Sequence, residues 1–240
     1  MTDSDWVQFG QEAEALGTPL QPEQIAQFRQ YEALLLDWNE RMNLTAVRQP
    51  ADIRLRHFLD SLSCVQVMGE LNGRSLIDVG TGAGFPGLPL KILFPQLRLT
   101  LVESVTKKGQ FLQAVVDELG LDHVTILAER AEALGQQPQH RQQYDWAVAR
   151  AVAELRVLVE YLLPLCRVGG QMLAQKGEGV HAEVESARSA IALLGGAEPK
   201  LASVTLPGRE QLHFFVTILK VGETPAAYPR RVGVPGKRPL

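Results

Sequence analysis

Leu76-Ile77-Asp78-Val79 runs into Gly80-Thr81-Gly82-Ala83-Gly84-Phe85-Pro86-Gly87, so a short apolar stretch carrying one carboxylate feeds a glycine-rich turn. Glycines there let the backbone take φ > 0 and let a ligand approach the main chain closely. Amide N–H groups opening the next helix can then bind a polar or anionic group. This is the construction of a nucleotide-type cofactor site on a parallel sheet. Gly82 to Gly87 is also a literal G-x-G-x-x-G, which raises a dinucleotide site. In a dinucleotide site the tight-turn glycine follows the strand directly. Here Gly80 already makes that turn, and Asp78 would repel a pyrophosphate. Asp78 suits two other tasks, orienting the glycine loop or facing the ammonium of a cationic cofactor.

The surrounding pattern supplies the elements that must hold this loop. The first third of the chain reads as helical. One helix opens at Pro22-Glu23 with Ile25, Phe28, Tyr31, Leu35 and Trp38 at helical spacing, and Asn39 to Thr45 is a polar break. A second opens near Asp52 and buries Ile53, Leu55, Phe58, Leu59, Leu62 and Val65. Residues 1–70 are thus expected as a helical lobe packed on residues 71–240, being too short to bury a sizeable core alone. From Ser75 strands and helices alternate, as in a parallel α/β sheet. Strands are expected at Leu76–Val79, Leu97–Val102, Val124–Leu127, Asp145–Ala149 and Gln171–Gln175, with helices at Phe85–Phe94 and Thr106–Leu119. Lys200–Leu206 and His213–Lys220 are joined by a link too short for a helical crossover, so they must pair antiparallel.

Composition sets outer limits. The chain has 240 residues, 45% hydrophobic and 21% charged, with a net charge of −3, which describes an ordinary globular protein. Cys64 and Cys166 form no Cys-x-x-Cys pair, so no metal is expected, and two plain thiols suit a reducing cytoplasm. No basic-then-apolar leader opens the chain, and no apolar run approaches the ~18 residues that span a bilayer. Charge is uneven: the first 28 residues have acids and no Lys or Arg, whereas the tail 228–240 holds Arg230, Arg231, Lys237 and Arg238 and no acid. Such a tail is either a phosphate-binding arm or a solvated terminus.

A mostly parallel sheet ending in an antiparallel pair is the topology of class I S-adenosylmethionine (SAM) methyltransferases, a Rossmann-like α/β fold. SAM carries an ammonium and a sulfonium, so an acidic approach suits it better than a dinucleotide. Glu103, at the end of the second strand, can accept both ribose hydroxyls of either cofactor. Several stretches in order resemble the RsmG (GidB) family of bacterial 16S rRNA guanine-N7 methyltransferases: Asn39-Glu40-Arg41-Met42-Asn43-Leu44-Thr45, Arg56-His57-Phe58-Leu59-Asp60-Ser61-Leu62 and Asp78 to Gly87. Val148 to Ala153, Lys176-Gly177 and Tyr228 to Lys237 resemble it too, so the likeness spans nearly the whole chain. The resemblance implies that Gly80 and Phe85 line the SAM site, Glu103-Ser104-Val105 hold ribose and adenine, and Ala131-Glu132 flank the adenine. It places Arg150 by the cofactor, where the methyl group meets its acceptor.

N7 of guanine has a lone pair and no proton, so no general base is nominated, and the absence of an Asn-Pro-Pro-aromatic motif agrees. The partner implied is 16S rRNA or the small ribosomal subunit, bound by a cytoplasmic monomer. Candidate RNA contacts are Lys176 at the sheet's ligand edge and Arg230, Arg231 and Lys237 in the tail, whose arginine forks grip phosphate; Arg54 and Arg56 face either RNA or solvent. His57, Asp60 and Ser61 lack a Gly-x-Ser-x-Gly elbow and read as a His–Asp brace of the lobe, not a hydrolase triad. Two other functions stay open on these residues: an NAD-type oxidoreductase using the shifted glycine match, and a non-catalytic protein binding SAM and RNA.

Overall fold

Alternation along the first strand builds two cores. In β1 (Ser75–Val79) Leu76 enters one apolar cluster, while Ile77 and Val79 enter the other, as a period of two requires. The computed structural model describes residues 3–207 and 212–240. Gly208 to Gln211, in the expected link between the last two strands, lie outside the described residues. β2 (Arg98–Val102), β3 (Val124–Leu127), β4 (Tyr144–Arg150) and β5 (Cys166–Lys176) run parallel to β1, and β6 (Lys200–Thr205) and β7 (Leu212–Leu219) are antiparallel additions. The strand order is β3-β2-β1-β4-β5-β7-β6. Connections diverge to opposite sides between β1 and β4, which opens a crevice at their carboxyl ends.

The lobe comprises α1 (Asp3–Ala15), α2 (Pro22–Arg41), α3 (Pro50–Ile53), a π-helical turn (Arg54–Leu59), α4 (Asp60–Leu62) and α5 (Val65–Met68). With α6 (Gly87–Leu93) and α7 (Thr106–Glu118) it covers one face of the sheet. The opposite face carries α8 (Ala131–Leu134), α9 (Leu155–Leu162) and α10 (Val180–Leu193), and α11 (Val234–Lys237) closes the chain. Lobe and sheet share one core: Phe28, Tyr31 and Phe58 pack with Phe85, and the Tyr31–Phe85 rings stack at 5.5 Å. Each such ring pair adds about 1 kcal/mol beyond its area burial.

Several element ends differ from expectation for local reasons. α6 starts at Gly87 and not at Phe85, because Pro86 serves as its cap and Pro89 falls in the first turn, where a missing N–H costs nothing. α2 continues past Asn39 to Arg41; the Asn39 carboxamide instead folds back and accepts from the N–H groups of Leu44 and Thr45. β5 begins at Cys166, paired with Tyr144 across a register shift that sequence alternation does not show. The π-helical turn was also not anticipated, and such turns gather at functional sites.

Candidate functional site

Asp78 ties the glycine loop down at both ends. It is fully buried, and its Oδ2 accepts from the Thr81 hydroxyl at 2.6 Å and the Gly87 N–H at 2.9 Å. Burial pushes its carboxyl up to about 7, against the lowering effect of those two donors. Of the two tasks foreseen for Asp78, orienting the loop is the one its contacts perform. Gly80 makes the turn after β1 with φ +69, and a Cβ there would lie 2.7 Å from Val152 Cγ2. Gly84 lets Tyr31 reach the loop: its Cβ would sit 2.6 Å from the Tyr31 hydroxyl, which donates to the Ala83 carbonyl.

A cavity of about 320 Å³ opens beside Gly80, across the carboxyl ends of β1 and β2. Val79, Gly80, Val102, Glu103 and Ser104 line one side, and Glu129 to Glu132, Val157 and Tyr161 the other. Glu103 is buried, with Oε1 accepting the Val105 N–H at 2.8 Å and Oε2 the Gly82 N–H at 3.2 Å. Its carboxylate is thereby fixed between the glycine loop and the start of α7. Apolar walls, a glycine cradle and one placed carboxylate fit an adenosyl group with vicinal ribose hydroxyls. Val105 caps α7 from an exposed position and is not part of the lining. Phe85 is a buried staple, stacked on His57 at 4.5 Å and lying beneath the Arg150 guanidinium at 5.0 Å.

Arg150, at the end of β4, belongs to a second cavity of about 550 Å³. The hub of this cavity is Asp60. One Asp60 oxygen accepts from Arg150 at 2.7 Å, the other meets His213 Nδ1 at 2.7 Å, and Gln175 Nε2 donates to its backbone carbonyl at 3.2 Å. Burial alone would raise the Asp60 carboxyl, but His213 and Arg150 outweigh it and hold it below its usual value. His57 does not pair with Asp60. Its ring stacks on Phe85, with Nε2 2.8 Å from the Thr45 hydroxyl and Nδ1 3.3 Å from Arg150. The expected His–Asp brace is replaced by an Asp60–Arg150 link between lobe and sheet, because the stacking turns His57 away. Burial, reinforced by the Arg150 charge, lowers the His57 imidazole to about 4.

That shift has a measurable consequence. Between about 4 and the ordinary 6.5 the unfolded chain binds a proton at His57 that the folded chain does not. The His57 contribution to stability therefore rises with pH through that window and is lost as pH falls, by ~2 kcal/mol at most between pH 6.5 and 5. Asp60, held low, contributes only at more acid pH. Asp78 and Glu32, both raised to about 7, add stability as pH falls over the same window in any variant, so the His57 contribution is read as a difference. Urea unfolding at pH 6.5 and 5 should show His57→Gln gaining more on acidification than the parent does. Equal changes in the two chains would reject the assignment.

The cationic candidates have divergent fates. Lys176 lies in the larger cavity beside Arg150, with its ammonium on the Ala153 carbonyl at 2.6 Å and on Glu183 at 2.6 Å. Arg54 is buried and pairs with buried Glu32 at 3.0 Å, whereas Arg56 is exposed at the rim of the larger cavity. Arg230 does not project as an arm: its Nε and terminal nitrogen hold both oxygens of Glu160, whose side chain has no exposure. Arg231, Lys237 and Arg238 are exposed. Gln175 and His213, which line this cavity with Asp60, were not singled out in the sequence, whereas His57 and Asp60 entered it only as a brace and within the Arg56-to-Leu62 motif. Among the described residues no His, Cys, Asp and Glu group is arranged to hold a metal, and no helix is long and apolar enough to cross a membrane.

A GidB family model, described as rRNA small subunit methyltransferase G, matches residues 24–213. A protein of Roseiflexus castenholzii named ribosomal RNA small subunit methyltransferase G is 55% identical over 95% of this chain and 97% of its own length. One of the same name from Alkaliphilus metalliredigens is 47% identical over 94% of each. Among solved structures, a SAM-dependent O-methyltransferase from Thermotoga maritima superposes with a TM-score of 0.55 at 14% identity, covering 80% of this chain and 72% of that one. TrmN from Thermus thermophilus gives 0.52 at 18% identity over 67% of this chain and 48% of its own. These two likenesses concern the fold.

Proposed function

This chain belongs to the GidB family, rRNA small subunit methyltransferase G, and we propose that it transfers the methyl group of SAM to N7 of a guanine in 16S rRNA. The observation that carries this reading is the pair of cavities sharing one short loop. Ala151 lines the larger cavity, while Val152 and Ala153 line the smaller. A nucleoside cofactor in the smaller and an acceptor base in the larger would therefore meet across Gly80 and Arg150. SAM, when bound, supplies a methyl group activated by its sulfonium. Gly80, Glu103, Ser104, Ala131 and Glu132 would hold the adenosyl part, and Arg150, steadied by Asp60, would border the methyl end.

The side chains around the larger cavity suit an acceptor with no proton to lose. His57 is a weak base at about 4, and Asp60 is held by two partners. Neither group is poised to take a proton, and N7 of guanine requires none. What remains is orientation of the base and exclusion of water. A base inside a stacked duplex cannot enter such a cavity, so the acceptor must be unstacked or flipped out. Arg56, Arg231, Lys237 and Arg238 supply exposed positive charge for phosphates, and local charge of this kind lets a net-acidic protein bind RNA. A substrate in ribosomal subunits supports a cytoplasmic location, and we take the acting form to be a monomer. An NAD-type oxidoreductase is ruled out by the family, and Gly80, not Gly82, is the turn glycine.

Transfer of labelled methyl from SAM to naked 16S rRNA and to small subunits lacking the modification tests the proposal. Label recovered in 7-methylguanosine after digestion is the expected result. Label in another nucleoside would overturn the acceptor, and SAM binding without any transfer would favour a non-catalytic binder.

A further inference from the structure

We propose that the C-terminal segment 228–240 is part of the cofactor site, forming the outer wall of the smaller cavity on its adenine side. The inference rests on reading that cavity as the SAM site. Gly236 lines it together with Glu103 and Ala131, and a Cβ on Gly236 would lie 3.8 Å from the Tyr161 hydroxyl. Tyr161 in turn hydrogen-bonds Glu132. Glu132 Oε1 also accepts the Gly233 N–H at 2.9 Å, so one buried carboxylate is held jointly by α9 and by the tail. The same Glu132 stands at the cavity's edge, where the adenine would be flanked.

Anchors upstream keep the segment there. Arg230 closes on Glu160 of α9 through its backbone N–H and its guanidinium. Arg141 donates to the carbonyls of Tyr228 and Thr224, and Gln136 to that of Pro229. Pro229 fits against Gly135, where a Cβ would come within 2.7 Å of its ring, and Pro229 and Pro235 are buried. A terminus with this many internal partners is ordered before any ligand arrives, and a preordered wall reduces the entropy lost on binding. The basic composition of the tail suggests an RNA arm; its contacts make it a cofactor wall with three exposed cations on its outer side.

Hydrogen exchange on the unaltered chain, with and without SAM, reads the wall directly. The amides of residues 232–237 should exchange more slowly with SAM bound, together with those of the glycine loop. Protection of residues 80–87 with none at 232–237 would overturn the wall and leave the functional reading standing. Absence of SAM binding by the unaltered chain would overturn both. Calorimetry on a variant adds a second reading. Gly236→Leu, whose branched end enters the cavity, should bind at least tenfold more weakly with an unchanged melting temperature. Parent-like affinity in Gly236→Leu would also overturn the wall.

Discussion

Gly80→Asp will weaken SAM binding by about a hundredfold or more in calorimetric titration, the largest effect expected of any single change in the cofactor site. Three costs add. At φ +69 a side chain is strained by about 1 kcal/mol. Its Cβ, 2.7 Å from Val152 Cγ2, must displace the loop that separates the two cavities. The added carboxyl group also projects from a residue that lines the cavity with Glu103 and takes up room the adenosyl group would occupy. A total of ~3 kcal/mol corresponds to about two decades in affinity. Gly80→Ala carries the first two costs without the third, so it should fall between parent and Gly80→Asp. Equal affinities for Gly80→Asp and the parent would remove Gly80 from the site.

Arg230→Ala will destabilise the fold, whereas Arg231→Ala will not. Glu160 has no exposure and gives both carboxylate oxygens to Arg230. Removing the guanidinium strands a buried charge, which costs about 3–5 kcal/mol. The lower end applies, since the Arg230 side chain is 24% exposed and its backbone N–H still donates to Glu160. For a chain of this size ~3 kcal/mol lowers the melting temperature by roughly 6–12 °C. Arg231 is exposed, and its loss should change stability by less than ~0.5 kcal/mol. Thermal melts of the two variants decide the matter. A pairwise Arg230→Met/Glu160→Leu change should recover much of the loss, because it leaves no unpaired charge behind. Similar melts for both single variants would show that Arg230 is a surface cation after all.

These two expectations mark how far the residues alone carry. The glycine loop was legible because its function lies in the main chain: Gly80 follows an apolar strand, and adjacency in the chain guarantees adjacency in space. Glu103 was legible for a related reason: it follows β2 directly, and parallel strands present their carboxyl ends on one edge. Ala131-Glu132 and Arg150 were named only through the family resemblance. Lys176 follows the same rule, yet its ammonium is held by Ala153 and Glu183. Position at an edge says where a residue is, not what it touches.

What the sequence determined by itself is therefore the α/β fold, the strand-end residues and, through several ordered motifs, the family. The first two follow from local periodicity and short spacing, and the family from the resemblance of the motifs. Asp60 holding Arg150 and His213, at separations of 90 and 153 residues in the chain, was decided by tertiary structure alone. So was the tail, whose composition speaks of RNA while its position speaks of Glu160 and Glu132. Charge composition is a property of the chain, but the partner of each charge depends on which distant elements pack together. Burial makes that partner matter, since a charge without one in the interior costs several kcal/mol.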